Sequence, residues 1–294
     1  MPLTLSLVAT VALGTMLIAP ALARPSTAAV AVLLGAGDIA SCSSSGDTRT
    51  AALLGANAGT IVTLGDNAYE LGTPSQFTDC FGPTWGTYRA RIRPAPGNHD
   101  YGTAGAGGYF GYFGAAAGEP SKGYYAFDLG EWRVYSLNSN CSQVGGCTWR
   151  SPQGIWLRAD LAANPRQCVL AYWHHPRFSS GAHGSSITAR PLWRMLYNAN
   201  AEVVLAGHDH SYERFAPQDQ AGTLDRARGI RQFVVGTGGR SHYAFPGPPI
   251  ANSRARNADT YGVLKMTLGS GGYSWQFLPE SGKDYSDSGS AACH

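Results

Sequence analysis

Five short runs of β-branched or apolar residues recur along the chain, each running out into glycine or polar residues: "AVAVLLGAGD", "TIVTLGDNAY", "CVLAYWHH", "EVVLAGHDH" and "RQFVVGTGG". Continuous apolar stretches of this length predict strands buried on both faces, as in an α/β sheet covered by helices. Between them lie three helical candidates: Asp47 to Ala58, opening on an N-cap aspartate, Pro152 to Ala163, and Thr188 to Ala199. Two βαβ-like units follow, over about 28 to 66 and about 151 to 210. "YYAFDLGEWRVYSLN" predicts a hairpin turning at Asp128 to Gly130, and "YGVLKMTLGSGGYSWQFLP" a second one, both as antiparallel additions to the sheets. The segment Gly102 to Gly118 is rich in Gly, Ala and aromatics without periodicity and reads as a long loop over one end of the sheet. Residues 281–294 are small and polar and read as a tail. With no repeat at solenoid spacing and no long polar linker, the rest forms one domain over residues 28–280.

The first 23 residues change the picture at the N-terminus. They carry no charged side chain, run apolar from Leu3 to Ile18 and close with "APALA" before Arg24 and Pro25, the small-residue cleavage pattern of a secretory signal. Because a positive n-region is missing, an uncleaved membrane anchor or a misplaced start stands as the alternative. Either way the remainder is expected outside the cytoplasm, secreted or extracytoplasmic, with no stable membrane insertion after cleavage. Such a chain is expected to pair its six cysteines. Cys141 and Cys147 flank the Gly-rich turn "SQVGG", Cys42 and Cys80 follow two polar strand-end loops, and Cys168 with Cys293 would tie the tail to the core. No pair has the spacing of a zinc ribbon.

The net charge of +3 comes from nineteen arginines and only three lysines, Lys122, Lys265 and Lys283, against nineteen acids. The cations are scattered, so no basic stripe of the kind nucleic acid requires is present, and nucleic acid is not an expected partner. A mildly basic surface suits small anionic substrates.

Polar residues concentrate just past the predicted strands: Asp38, Asp66, Asn98 with His99, His174 with His175, and His208 with His210. In open α/β sheets ligands bind beyond the carboxyl ends of the strands. In extended chain, alternation would put His208 and His210 on one face and Asp209 on the other, and would turn His174 and His175 in opposite directions. A helical turn after the second strand would put Asp66 and Tyr69 on one side. Asp38, Asp66, Tyr69, Asn98, His174, His208 and His210 are all oxygen or nitrogen donors of the kind transition metals accept. They are too many for one tetrahedral ion and suit two ions sharing a bridging carboxylate, the clamp, with ions about 3.5–4 Å apart, used for in-line displacement at phosphorus.

Five ordered blocks, "GDIA", "GDNAY", "GNHD", "WHHP" and "GHDH", resemble those of the calcineurin-like metallophosphoesterases and, through the tyrosine of the second block and "GHDHSYERF", the purple acid phosphatases. The blocks span Asp38 to His210, most of the mature chain. The resemblance implies a sandwich of two mixed β-sheets flanked by helices, with the site at the carboxyl ends of the strands. It places one metal on Asp38, Asp66, Tyr69 and His210 and the other on Asp66, Asn98, His174 and His208, with Asp66 bridging. It selects His174 over His175, and it gives His99 and His183 as substrate-facing proton donors. Two carboxylates and a potential phenolate suit Fe(III), and the second donor set suits Fe(II), Zn(II) or Mn(II).

The implied activity is hydrolysis of small phosphate monoesters by attack of a metal-bound hydroxide, without a covalent phosphoenzyme, since the chain offers no Gly-x-Ser-x-Gly elbow. The rival readings are an Mn- or Zn-dependent phosphodiesterase of the same superfamily and a non-catalytic extracellular domain that keeps metal for binding or assembly. Asp100, His175, Asp209 and Glu213 sit inside the motifs and are expected to orient ligands or cap loops. Arg240 and His242 are expected on a surface loop, and the arginines of "RARIRP" along a strand edge.

Overall fold

In the computed structural model, which describes residues 1–7 and 30–294, the apolar runs become the inner strands of two sheets. The leader read over residues 1–23 lies largely outside the described residues, and among these no helix is long and apolar enough to cross a membrane. One sheet joins β1 (Ala31–Ala36), β2 (Thr60–Leu64) and β3 (Ile92–Ala95) in parallel and continues antiparallel through β11 (Gly262–Gly269), β12 (Gly272–Pro279) and β13 (Ser288–Ala292), in the order β13-β12-β11-β1-β2-β3. The other contains β4 (Tyr125–Leu129), β5 (Trp132–Ser136), β6 (Val169–Tyr172), β7 (Val203–Ala206), β8 (Tyr212–Phe215), β9 (Arg231–Val235) and β10 (Ser253–Asn257), in the order β10-β8-β9-β7-β6-β5-β4. Within it β5, β6, β7 and β9 run parallel. Both sheets are mixed.

Side-chain alternation divides the second sheet between two layers. Leu170, Val203, Leu205 and Phe233 face a core shared with Leu33, Ile61, Ile92 and Met266 of the first sheet. Their neighbours Ala171, Val204 and Val234 pack outward on Leu157 of α4 (Pro152–Ala163) and on Leu192, Trp193 and Leu196 of α5 (Arg190–Asn198). This two-sided burial, about 1.5–3 kcal/mol for each large apolar side chain, is why β6 and β7 are apolar at every position. All three cysteine pairs form as expected: Cys42–Cys80, Cys141–Cys147 and Cys168–Cys293.

Four local readings are corrected. The first helix, α1 (Gly46–Ala56), starts one residue early, and Asp47 is not its cap; burial raises the Asp47 carboxyl pKa, and it accepts a hydrogen bond from Thr84 Oγ1 at 2.8 Å. The β4–β5 turn is Gly130–Glu131, because Leu129 already pairs with Trp132. The Gly102 to Gly118 segment holds a short helix rather than a structureless loop. After one helical turn at α2 (Pro74–Gln76), α3 (Gly107–Phe113) buries Tyr109, Phe110 and Phe113, and Phe113 packs edge-on against Phe77 and Phe81. Residues 281–294 are not simply a tail, since β13 completes an edge of the first sheet. An edge strand that is largely exposed needs little apolar surface beyond Ala291, so "SGSAA" carries no strand signature. At Gly289 a Cβ would come within 2.4 Å of the Trp275 ring, so the small residue lets that ring cover the strand.

Candidate metal centre

Five of the seven candidate donors follow a strand by two or three residues: Asp38 after β1, Asp66 after β2, Asn98 after β3, His174 after β6 and His208 after β7; Tyr69 and His210 lie a little further along the loops after β2 and β7. The carboxyl ends of the parallel strands of both sheets therefore converge on one place. Three of these residues leave their strands with positive φ, Asp38 at 61°, Asp66 at 52° and His208 at 74°. A non-glycine residue in that region is strained, and such strain gathers at functional sites. The neighbouring glycines provide clearance. A Cβ on Gly97 would lie 2.0 Å from Asp66 Oδ1, and one on Gly207 would lie 2.7 Å from Asp38 Oδ2.

The donor atoms form two groups joined at one carboxylate. Tyr69 Oη lies 2.9 Å from Asp38 Oδ1, 3.0 Å from Asp66 Oδ2 and 3.2 Å from His210 Nε2. On the other side, His174 Nε2 lies 3.2 Å from the same Asp66 Oδ2, 3.0 Å from Asn98 Oδ1 and 3.1 Å from His208 Nδ1. His174 Nδ1 donates to the Leu64 carbonyl at 2.9 Å, which leaves the Nε2 lone pair directed inward. His210 is likewise oriented from behind, its Nδ1 2.7 Å from Ser241 Oγ.

Electrostatics make the same point. Asp38 and Asp66 are fully buried, and among the described residues neither pairs with a lysine or arginine. Burial opposes charge on both Asp66 and His174, yet their mutual attraction holds the Asp66 carboxyl well below its usual range and raises the imidazole to about 9. Burial, and then the charge of His174, depress His208 strongly. Burial and the two carboxylates push the Tyr69 hydroxyl far above its usual range, and a cation among these oxygens would reverse that. Buried carboxylates, imidazoles and a phenol all aimed inward fit two cations with Asp66 between them.

The rim holds the two other histidines singled out by sequence. His99 stacks beside Tyr69 with ring centroids 4.5 Å apart; its Nδ1 engages the Glu70 carbonyl at 2.6 Å, and its backbone N–H donates to Asp66 Oδ1 at 2.8 Å. Its side chain is 36% exposed, so Nε2 is open to a solvent-borne ligand. His183 stacks 4.4 Å above His208. Two buried carboxylates hold its loop. Asp209 accepts from the His183 N–H at 2.7 Å and from Ser179 Oγ, and Glu213 accepts from Ser180 N and Oγ at 2.8 and 2.6 Å. Asp100 joins two motif loops by accepting from Asn67 Nδ2 and Gly97 N, at 2.9 and 2.8 Å, and burial followed by the charge of Asp66 pushes it up to about 7.

Simple strand alternation fails at both histidine pairs. The chain leaves β7 at Ala206, and His208 and His210 turn toward different donor groups rather than sharing a face. His174 and His175 are not opposed either: their rings are 4.9 Å apart and both lie near His208, although His175 Nδ1 is engaged by Ser139 Oγ at 2.8 Å, and burial, then His174, lower its pKa to about 3. Asp66 and Tyr69 do share a side, through a non-helical turn. Tyr243 had no sequence signal beyond its place after β9, yet it stacks on His210 at 4.0 Å and faces His183 at 5.5 Å. Arg240 stands on a loop after β9, as expected, but reaches over the centre, pairing with Glu70 while its guanidinium lies 5.3 Å over the Tyr69 ring, whereas His242 packs away from the centre on Tyr261.

Residues 28–212 match the family model for the calcineurin-like phosphoesterases. Over 195 residues the chain is 29% identical to an uncharacterized protein of Mycobacterium tuberculosis, covering 53% of this chain and 37% of that one. Over 161 residues it is 30% identical to purple acid phosphatase 22 of Arabidopsis thaliana, covering 50% of this chain and 35% of that one. The chain thus spans little more than a third of the length of these curated relatives. A purple acid phosphatase from seeds of yellow lupin, Lupinus luteus, shares the fold with a TM-score of 0.71 at 19% identity, over 92% of this chain and 55% of that one.

Proposed function

The chain belongs to the calcineurin-like phosphoesterase family, and from that premise we propose that it is a secreted phosphatase that hydrolyses phosphate monoesters at a two-metal centre. The observation that carries this reading is the position of Asp66 Oδ2, 3.0 Å from the phenol of one donor group and 3.2 Å from the imidazole of the other. Asp38, Asp66, Tyr69 and His210 would hold one ion, and Asp66, Asn98, His174 and His208 the second. The first set, with two carboxylates and a phenol, suits Fe(III); the second, with one shared carboxylate and neutral donors, suits Fe(II), Zn(II) or Mn(II). When bound, the pair would supply Lewis acidity toward the phosphate oxygens and toward water.

The chain's own groups would do the rest. Asp66 would fix the separation of the two donor groups, and Leu64 would fix the His174 tautomer through Nδ1. His99 would present Nε2, and His183 its ring above His208, so that either could deliver a proton to the departing alkoxide. Three disulfides in a chain of this size fit an oxidising, extracytoplasmic setting.

Paired assays on p-nitrophenyl phosphate and bis-p-nitrophenyl phosphate, with metal-quantified protein, test the proposal. Faster turnover of the monoester by a protein with a visible charge-transfer band supports it. A colourless protein faster on the diester supports a phosphodiesterase instead, and metal without turnover of either supports a binding role.

A further inference from the structure

On the outer face of the second sheet, α4, α5 and the loop before α4 enclose a groove of about 1080 Å³ that shares no residue with the metal centre. Trp149, Arg150, Arg158, Arg190, Arg194 and Gln220 line it, and no acidic residue does. Several arginines elsewhere pair with acids, among them Arg49 with Glu280, Arg133 with Asp160, Arg214 with Asp287 and Arg240 with Glu70. Among the described residues none of the four groove arginines forms an ion pair, and all four are exposed. Arg190 and Arg194 stand one turn apart on α5, where like charges repel. A chain with a net charge of only +3 thus gathers four uncompensated guanidiniums in one groove.

The groove is built in advance of any ligand. The Cys141–Cys147 bridge closes the loop just before Trp149. Ser151 Oγ donates to the Thr148 carbonyl at 2.6 Å and accepts from the Gly154 N–H at 3.2 Å, and a Cβ on Gly154 would come within 2.0 Å of that carbonyl. Arg150 and Arg158 lie over the Trp149 ring at 4.6 and 5.5 Å, and Arg158 Nη2 also donates to the Trp149 carbonyl at 3.1 Å. Trp149 therefore works as a shelf that fixes two guanidiniums, so little side-chain freedom is lost on binding.

From this we infer that the groove between α4 and α5 is a binding site for linear inorganic polyphosphate, separate from the metal centre. Guanidinium forks match phosphate oxygens in pairs, and a row of them matches a chain of closely spaced phosphates. Single-stranded nucleic acid fits less well, because it seeks free aromatic faces for its bases, and the only aromatic ring lining the groove is already covered by two arginines.

Binding of fluorescently labelled inorganic polyphosphate to the metal-loaded protein, with saturating orthophosphate present to occupy the catalytic centre, tests it. Saturable, salt-sensitive binding is expected. The fourfold variant Arg150→Gln, Arg158→Gln, Arg190→Gln, Arg194→Gln should lose at least about tenfold in affinity, with a shallower salt dependence, while its melting temperature and turnover of a small monoester stay unchanged. No saturable binding, full displacement by orthophosphate, or equal affinity of the variant overturns the site. Equal binding of a single-stranded oligonucleotide of the same charge, or of anionic vesicles, through the same arginines overturns polyphosphate as its occupant.

Discussion

His208 Nδ1 and His174 Nε2 face each other at 3.1 Å, although the residues lie 34 positions apart on the loops after β7 and β6. Two imidazole lone pairs brought this close in a buried site repel unless a proton or a cation lies between them. Burial and the neighbouring His174 drive His208 strongly toward its neutral form, while Asp66 raises His174, so without metal a proton on His174 Nε2 lies between the rings, and a cation held by Asp66 and both imidazoles would take its place. His210, two residues further on, turns away to Tyr69 and Asp38, at 3.2 and 3.3 Å. One short stretch thus contributes to both donor groups.

Asp209, between those histidines, positions His183 by accepting its backbone N–H at 2.7 Å and bonding Ser179. Asp209→Ala should lower kcat about 10–100-fold with metal content retained. Combined with His183→Ala it should add little to the loss from His183→Ala alone, since both remove the same element. Steady-state kinetics with metal analysis on the three variants checks this; additive losses would place the role of Asp209 elsewhere.

The Cys168–Cys293 bridge closes a separation of 125 residues and fastens the strand after Asp287 to the start of β6. Replacing both cysteines with serine should cost about 2–4 kcal/mol in denaturant unfolding. Turnover at low temperature should be unchanged, because neither residue approaches the donor groups.

Glu202 supplies a pH dependence away from the metals. Its carboxyl accepts from the His294 N–H and meets His294 Nδ1, both at 2.8 Å. Burial raises its pKa from 4.5 to about 7, and burial lowers that of His294, so the pair is held mainly neutral. A carboxyl whose folded pKa is raised stabilises the fold below its unfolded pKa, and that contribution is lost as pH rises through the folded value. Glu202→Gln should therefore match the native melting temperature near pH 4.5 and exceed it increasingly up to about pH 7, with a plateau above. Melting curves across that range provide the check.

Much of this was legible in the sequence because two-sided burial leaves so strong a mark. Strands such as Val203–Ala206 must be apolar throughout, and polar residues directly after them stand out at the carboxyl ends. β13 was not legible, because a largely exposed edge strand held by main-chain bonds, Asp287 and a disulfide needs little apolar pattern. α3 was hidden by its glycines, although Tyr109, Phe110 and Phe113 carry helical spacing. The facing of His208 and His210 was misjudged because alternation holds only in extended chain, and His208 adopts a φ of 74°. Tyr243 and Ser241 reach His210 through tertiary folding alone.

The most direct test of a centre in which His208 and His210 serve different ions is metal analysis with visible spectroscopy on three proteins: native, His208→Ala and His210→Ala. The native protein should bind two ions per chain and show a phenolate-to-iron band. His208→Ala should keep the band and lose mainly the divalent ion, whereas His210→Ala should lose colour and activity together. A native protein with a single ion, or a His208→Ala variant that loses colour while His210→Ala keeps it, would contradict the account.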